Sequence, residues 1–271
     1  MSARDNILAK LRKANAYPMI EPKVDEYYRE TSQEWDSETE RLKHWAKTMQ
    51  AVKTEIYWVT PETWPQTMVR VAGEKGLKNI LLPLKTEHGQ TAERAFQTAS
   101  DIEVKSFGKP IEDWKDSYFA DIDAGFTSAR GGIALTGTLV LWPDIEEPRS
   151  QSLVPPVHFC LFDAAKMYNT FHHAMRGEKM ADGMPTNVVL VSGPSKTADI
   201  QLTLAYGAHG PRDLVVLALV PPHINPADLE DAELVPKPYI SIRNRKPSSK
   251  TRKTPCPTNP CAKACARPWT C

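Results

Sequence analysis

A short segment from 193 to 211 combines hydroxyl, ammonium, carboxylate and imidazole side chains. The apolar run at 188–191 predicts a buried strand, Gly193-Pro194 predicts a turn, and Ser195 or Thr197 can then cap a short apolar helix. Because the first N–H groups of a helix have no partner within it, such a turn favours an anion, either a carboxylate or a phosphate. The pattern therefore predicts an anion site at the carboxyl end of a strand, the edge where open α/β sheets bind ligands.

Each polar side chain of this segment has a functional and a structural interpretation. Ser195, Lys196 and Thr197 can hold the anion together with the backbone, or Ser195 can simply cap the helix. Asp199 would repel a carboxylate, but it can accept a hydrogen bond from a substrate hydroxyl, or it can complement the helix dipole. His209 lies between glycines, where it can act as a general base or brace its turn through a backbone carbonyl.

Further candidates lie on both sides of this segment. Arg212 can clamp a carboxylate with two hydrogen bonds, or lie on the surface paired near Asp213. The triplet Thr136-Gly137-Thr138 places two hydroxyls and a glycine between apolar strands. Such a glycine marks either a close approach of the backbone to a ligand or a kink in the strand.

Four more basic or imidazole side chains have weaker claims to a site. Arg149 and His158 flank the turn at 153–156 and are expected to approach the same cleft, although a buried histidine with satisfied hydrogen bonds is the preferred interpretation of His158. The pair His172-His173 lacks partners at metal-ligand spacing and is interpreted as ordinary surface.

Repeated strand–helix–strand units with continuous Val, Ile and Leu strands predict an α/β fold, with a mostly parallel sheet covered by helices on both faces. We expect an N-terminal helical segment at 1–52 packed on the core, an α/β domain at 53–222, and a disordered tail at 236–271. Strands are predicted at 55–59, 79–82, 102–107, 133–142, 157–162, 188–191 and 214–220. Helices are predicted at 5–16, 37–52, 61–74, 92–98 and 164–176, besides the one that follows Ser195.

The charges of the 271 residues are unevenly distributed. Nine of the 34 Lys and Arg residues and none of the 33 Asp and Glu lie at 236–271, so the first 235 residues carry 25 basic and 33 acidic side chains, a net charge of −8. An acidic body is a poor surface for nucleic acid. With no apolar run long enough for a bilayer and no secretion signal, we expect a cytoplasmic protein without a membrane partner.

The cysteines argue against a metal centre on this chain. Cys160 is the only cysteine before the tail, whereas Cys256, Cys261, Cys265 and Cys271 lie in the last 16 residues with a spacing that fits no usual zinc or ferredoxin pattern. We therefore expect neither a metal nor an iron–sulfur cluster on this chain.

Three blocks of the sequence resemble the LUD domain, and most closely the lactate-utilisation protein C family. The first is Ser-Gly-Pro-Ser-Lys-Thr-Ala-Asp-Ile at 192–200 with Gly-Ala-His-Gly-Pro-Arg at 207–212, the second is 133–141, and the third runs from Arg149 to Leu153 and from Pro155 to His158. The resemblance covers about residues 1–220. It implies a fold like that of NagB, RpiA and CoA transferases, a cytoplasmic location, and oxidation of L-lactate to pyruvate alongside two iron–sulfur partner subunits, without an agreed catalytic residue.

The leading hypothesis is a subunit of an iron–sulfur complex that oxidises L-lactate. In it Arg212 or Lys196 pairs with the carboxylate of the 2-hydroxy acid near Ser195 and Thr197, His209 takes the hydroxyl proton, and the clusters lie on partner chains. A non-catalytic scaffold subunit is the alternative. A nucleotide- or CoA-dependent transferase or ligase is a third, which rests on fold analogy alone.

Overall fold

The computed structural model describes residues 2–13, 22–108, 111–198, 204–207 and 209–230 of the chain. By its internal contacts the chain divides into two units, 1–233 and 234–271, and the elements below belong to the first. The predicted tail at 236–271 and its four cysteines lie outside the described residues.

The elements alternate between strands and helices along most of the first unit. The strands are β1 (Glu55–Val59), β2 (Asn79–Leu82), β3 (Glu103–Ser106), β4 (Ala124–Ala129), β5 (Gly131–Ile133), β6 (Thr138–Leu141), β7 (Val157–Asp163), β8 (Met167–Tyr168), β9 (Val189–Val191), β10 (Lys196–Ala198), β11 (Leu204–Tyr206) and β12 (Asp213–Leu219). The helices are α1 (Ala3–Lys13), α2 (Val24–Thr31), α3 (Glu38–Gln50), α4 (Trp64–Glu74), α5 (Glu87–Ala99), α6 (Lys115–Asp121), α7 (Arg149–Leu153), α8 (Phe171–Gly177) and α9 (Ala227–Glu230).

Six strands form a central sheet in the order β1-β12-β7-β4-β2-β3, and every neighbouring pair is parallel. Alternate residues of β12 face opposite sides of this sheet. Val216 packs in a core with Trp45 and Met49 of α3, whereas Leu217 packs in a second core with Met68 of α4 and Phe96 of α5. The prediction of a mostly parallel sheet with helices on both faces is confirmed.

A smaller sheet of four strands, in the order β8-β5-β6-β9, carries the region around 133–142. The strand predicted there is a hairpin, because β5 and β6 pair antiparallel across a turn at 134–137. Gly137 in that turn has a φ of +56°. β9 pairs antiparallel with β6, and Leu190 is 46% exposed, so the strand predicted as buried at 188–191 lies on the surface of the smaller sheet.

The prediction of a helix after Ser195 is wrong. Residues 196–198 are strand β10, which pairs antiparallel with β11, and 199–203 lie outside the described residues. A short apolar run is compatible with either state, and periodicity alone cannot distinguish them. The extended form is stabilised by backbone hydrogen bonds. Beside the β10–β11 pair, the Gly207 N–H donates to the Ser195 carbonyl at 3.0 Å, which links the residue before β10 to the residue after β11.

The predicted helix at 164–176 begins later than expected. A 3₁₀ turn at Ala164–Lys166 and strand β8 precede α8, whose first turn is capped by Thr170. α7 occupies part of the predicted polar loop at 143–152. By contrast α3 begins as predicted, with the Ser37 hydroxyl accepting from the Glu40 N–H at 3.1 Å.

His172 was wrongly interpreted as ordinary surface. It is 9% exposed, its Nε2 lies 2.9 Å from an Asp25 carboxylate oxygen, and its ring stacks on Tyr28 with centroids 4.4 Å apart. Arg176 also binds both carboxylate oxygens of Asp25, at 3.0 and 2.9 Å. These side chains attach α2 to α8. Within the described ranges, none of the helices is both long and apolar enough to cross a bilayer.

Candidate functional site

The two halves of the segment at 193–212 are in direct contact. The Ser195 N–H donates to the Pro211 carbonyl at 2.8 Å, and a Cβ placed on Gly210 would lie 3.2 Å from the Cβ of Ser195. The Arg212 N–H donates to the Pro156 carbonyl, also at 2.8 Å, immediately before β7. The sequence blocks at 193–195, 207–212 and 155–158 therefore meet in space, as the expectation of a shared site requires.

This junction lies at the amino-terminal edge of the parallel sheet, because its segments lead into the first residues of β7 and β12. We had expected the opposite edge, beside the carboxyl ends of the strands. No helix begins at Ser195, so its backbone offers no free N–H groups of a first helical turn. The Ser195 N–H and carbonyl are instead both used in holding the loop.

The charged side chains of the segment point into open surroundings. Lys196 and His209 are exposed, and Arg212 is 64% exposed at its side chain, where it lies 3.4 Å from Asp213. Thr197 lies in β10, opposite Ala205. Asp199 lies outside the described residues. The contact between Arg212 and Asp213 thus supports the interpretation of Arg212 as a surface arginine.

The triplet at 136–138 is linked to the residue that precedes this segment. The Thr138 hydroxyl lies 2.8 Å from that of Thr136 and 2.7 Å from that of Ser192. A Cβ on Gly137 would lie 2.7 Å from the Cβ of Thr48. The close approach that Gly137 permits is therefore to helix α3, which supports the structural interpretation of this glycine.

His158 is a core residue. It is 1% exposed in β7, and its Nε2 lies 2.8 Å from the Thr127 hydroxyl in β4. Burial lowers the pKa of His158 to about 4, because the imidazolium form would lose its hydration. The preferred interpretation, a buried histidine with a satisfied hydrogen bond, agrees with this geometry. The expectation that His158 reaches a cleft does not.

Arg149 lies at a place where it can bind a ligand. It is the first residue of α7, is exposed, and forms no ion pair with any residue that the structure describes. It lines an open groove of about 550 Å³. The other lining residues are Pro148, Ser150, Leu153, Val154, Thr186 and Asn187.

A cluster that sequence reasoning missed lies at the carboxyl edge of the sheet. Glu147, 10% exposed at its side chain, accepts hydrogen bonds from the Ser128 N–H at 2.9 Å and from the Ser128 hydroxyl at 3.0 and 3.1 Å. The other contact of this carboxylate is Nε2 of His88, which also lies 3.1 Å from the Thr86 hydroxyl. Together these four residues connect the first turn of α5, the end of β4 and the loop before α7.

One signal in the sequence could have indicated this cluster. Thr86 and His88 follow the predicted strand at 79–82 closely, and the carboxyl ends of parallel strands meet at the same edge of a sheet. The strand that carries Ser128 was not predicted, since the region at 114–132 has no clear period. Its partner Glu147 lies in the segment at 143–152, which the sequence predicts only as a polar loop.

Within the described ranges, no three His, Cys, Asp or Glu side chains come together as a possible metal site. Cys160 is fully buried in β7, and burial raises the pKa of its thiol, which disfavours the thiolate that metals bind.

Comparison with known proteins identifies relatives of similar sequence. An uncharacterized protein of Neisseria meningitidis serogroup B is 66% identical over 232 residues, which make up 85% of this chain and 99% of that protein. A protein of Bacillus mycoides named lactate utilization protein C 1 is 27% identical over 169 residues, 60% of this chain and 71% of that protein.

A solved structure shows the same fold. The crystal structure of a DUF162 family protein from Deinococcus radiodurans superposes with a TM-score of 0.50 at 18% identity, covering 68% of this chain and 99% of that one. The sequence model of the LUD domain matches residues 42–219, from α3 through β12. This match spans the whole parallel sheet and well over half of the chain, and the protein therefore belongs to the LUD domain family.

Proposed function

We propose that this protein takes part in lactate utilisation as a cytoplasmic subunit of an iron–sulfur complex that oxidises L-lactate to pyruvate. Its own part is to bind the 2-hydroxy acid, while the clusters belong to partner subunits and no cofactor resides on this chain. Membership of the LUD domain family and the similarity to a protein named lactate utilization protein C 1 support this proposal.

The observation that carries the binding role is the environment of Arg149. An exposed guanidinium without an acidic partner in the described part of the chain can form two parallel hydrogen bonds to a carboxylate. Its groove, at about 550 Å³, has ample room for a three-carbon acid. Arg212, the other candidate, already has a carboxylate neighbour in Asp213.

The first test is genetic. Deleting the gene is expected to abolish growth on L-lactate as the carbon source, and the wild-type gene on a plasmid is expected to restore it. Normal growth of the deletion strain on L-lactate would remove the proposed function altogether.

The second test addresses Arg149. Replacing Arg149 with Met keeps the length of the side chain and removes its charge, so KM for L-lactate of the purified complex is expected to rise about 10- to 100-fold. Arg94→Met, on the exposed side of α5, is the matched control and is expected to leave KM unchanged.

A scaffold subunit is the second candidate. The observation in its favour is that Lys196, His209 and Arg212 are all exposed on the surface, where partner chains can contact them. If Arg149→Met leaves turnover and KM unchanged in an intact complex, the scaffold role is favoured. If KM rises while the same subunits still co-purify, the binding role is supported.

A further inference from the structure

The cluster of Thr86, His88, Ser128 and Glu147 lies where an α/β sheet of this topology has a crevice. From β2 the chain continues through α5 to β3 at one edge, whereas from β4 it continues to β7 on the other side. The loops after β2 and β4 therefore diverge to opposite sides. Ligands of open α/β sheets bind in such crevices, outside the carboxyl ends of the strands.

The hydrogen bonds of Glu147 hold its side chain in place. Three donor contacts from Ser128 reach its two carboxylate oxygens. The backbone N–H of Glu147 donates to a carboxylate oxygen of Asp144 at 2.8 Å, and its carbonyl accepts from the Asp144 N–H at 3.2 Å. The loop thus fixes both the position and the direction of the Glu147 side chain.

The partners of His88 determine which of its ring nitrogens carries the proton. A carboxylate only accepts hydrogen bonds, so Nε2 must donate to Glu147. The Thr86 hydroxyl donates to the Pro83 carbonyl at 2.8 Å, so towards Nε2 it can only accept. In the neutral ring the lone pair is therefore on Nδ1. The edge-on contact with Phe126, with centroids 5.6 Å apart, holds the ring in this orientation.

The Nδ1 atom of His88 is available to a ligand. It has no hydrogen-bond partner among the residues that the structure describes, and it is not one of the buried polar atoms that lack a partner, so it is in contact with solvent. A histidine whose second nitrogen is oriented by a carboxylate has the arrangement of a general base. The Ser128 hydroxyl is used in holding Glu147, so Ser128 is not the group that gives a proton to Nδ1 of His88.

We infer that His88 is the proton acceptor for the hydroxyl of the 2-hydroxy acid, with Glu147 as its positioning residue. The inference rests on the proposed function. Arg149, the proposed carboxylate anchor, begins α7 two residues after Glu147. His209, to which the sequence assigned this role, has no orienting partner in the described part of the chain.

The proton transfer breaks the O–H bond of the hydroxyl, leaves the electron pair on the oxygen and forms an N–H bond at Nδ1. Oxidation of the alkoxide to the carbonyl then breaks the Cα–H bond, which gives up one further proton and two electrons. Iron–sulfur clusters on the partner subunits of the proposed complex would serve as the acceptors of these electrons, and the proton would pass to solvent.

The test is His88→Gln in the purified complex. The glutamine amide can still donate to Glu147 but cannot accept a proton, so the loop keeps its contact while the base is lost. The expected result is a loss of kcat on the order of 100-fold with KM changed less than about threefold. His223→Gln, at an exposed histidine that contacts Glu38, is the matched control and is expected to keep the wild-type kcat.

Two further measurements make the result decisive. The melting temperature of the isolated His88→Gln chain is expected to match that of the wild type, and nitrogen-15 NMR of the wild-type chain is expected to show His88 protonated at Nε2. A wild-type kcat in His88→Gln, or a neutral ring protonated at Nδ1, overturns the inference while the proposed function stands. Failure of the proposed function is separately visible as growth of the deletion strain on lactate.

Discussion

The histidines of this chain have different roles, which depend on the residues around each imidazole. His158 is fully buried against Thr127, His172 holds Asp25 against α8, and His88 is oriented by a carboxylate with one nitrogen left in solvent. The sequence favours a buried position for His158, which the structure has, and it indicates His209 as the candidate general base. The difference lies in the partners, which come from residues far apart along the chain.

His158 makes a prediction about acid stability. Its pKa is about 4 in the folded protein and near 6.5 when exposed, so between these values the unfolded chain binds a proton that the folded chain does not. Stability therefore falls as the pH falls through this window. From pH 7 to pH 5 this single group is expected to lower the free energy of unfolding by about 2 kcal/mol.

Urea unfolding of the wild type and of His158→Gln at both pH values measures this effect. Glutamine can keep a hydrogen bond to Thr127 but does not titrate, so the variant is expected to lose about 2 kcal/mol less than the wild type over the same interval. His223→Gln, at an exposed histidine, serves as the matched control variant. Parallel losses in the wild type and in His158→Gln would show that burial of His158 does not govern acid stability.

Among the elements, the strands of the parallel sheet were the most predictable. β1, β2, β7 and β12 are continuous apolar runs bounded by polar residues or breakers, and such runs suit strands covered on both faces. The short pieces at 164–170 and 196–206 were predicted as helix. Their strands exist because a neighbouring strand supplies the hydrogen bonds, and a local pattern of three residues does not reveal that partner.

α2 illustrates an element that depends on tertiary contacts. None of its residues is buried, and it is held through Asp25 and Tyr28, which contact His172, and through the contact of Asp25 with Arg176. Asp25→Ala removes the contacts of the carboxylate. We expect amide hydrogen exchange within Val24–Thr31 to become roughly two- to fivefold faster, with little change in the melting temperature.

Glu30→Ala on the same helix is the matched control, because Glu30 is exposed and has no hydrogen bond or ion pair with a described residue. It is expected to leave exchange in α2 at the wild-type rate. Equal exchange rates in the wild type and in Asp25→Ala would mean that the carboxylate does not attach α2.

At the scale of the whole molecule, the chain divides into a body at 1–233 and a basic end at 234–271. Among the residues that the structure describes, the buried members of the hydrophobic cores on the two faces of the parallel sheet lie between 42 and 229. The body therefore contains the elements that a cooperative fold requires. Removing 236–271 also changes the net charge from +1 to −8.

A chain truncated after residue 235 is expected to fold and to melt within about 2 °C of the full-length protein. Circular dichroism and calorimetry of both proteins measure this. If the truncated chain loses its cooperative transition, the body depends on the end of the chain and the predicted domain division is wrong. Retention of the transition leaves the nine basic residues of the tail free for another role, such as contact with an acidic partner.

The fold class follows from the amino-acid sequence, because apolar periodicity and the spacing of breakers are local properties of the chain. The sequence also indicates the family, through blocks at 133–141, 149–158 and 192–212. Which side chains meet depends on contacts between residues far apart along the chain, and these come from the fold. His88 lies at the start of α5, Ser128 at the end of β4 and Glu147 in the loop before α7, and the position of β4 beside β2 is what brings them together. Pairing with β11 made the residues after Ser195 a strand in place of the expected helix, and the tertiary structure leaves Arg149 exposed in a groove.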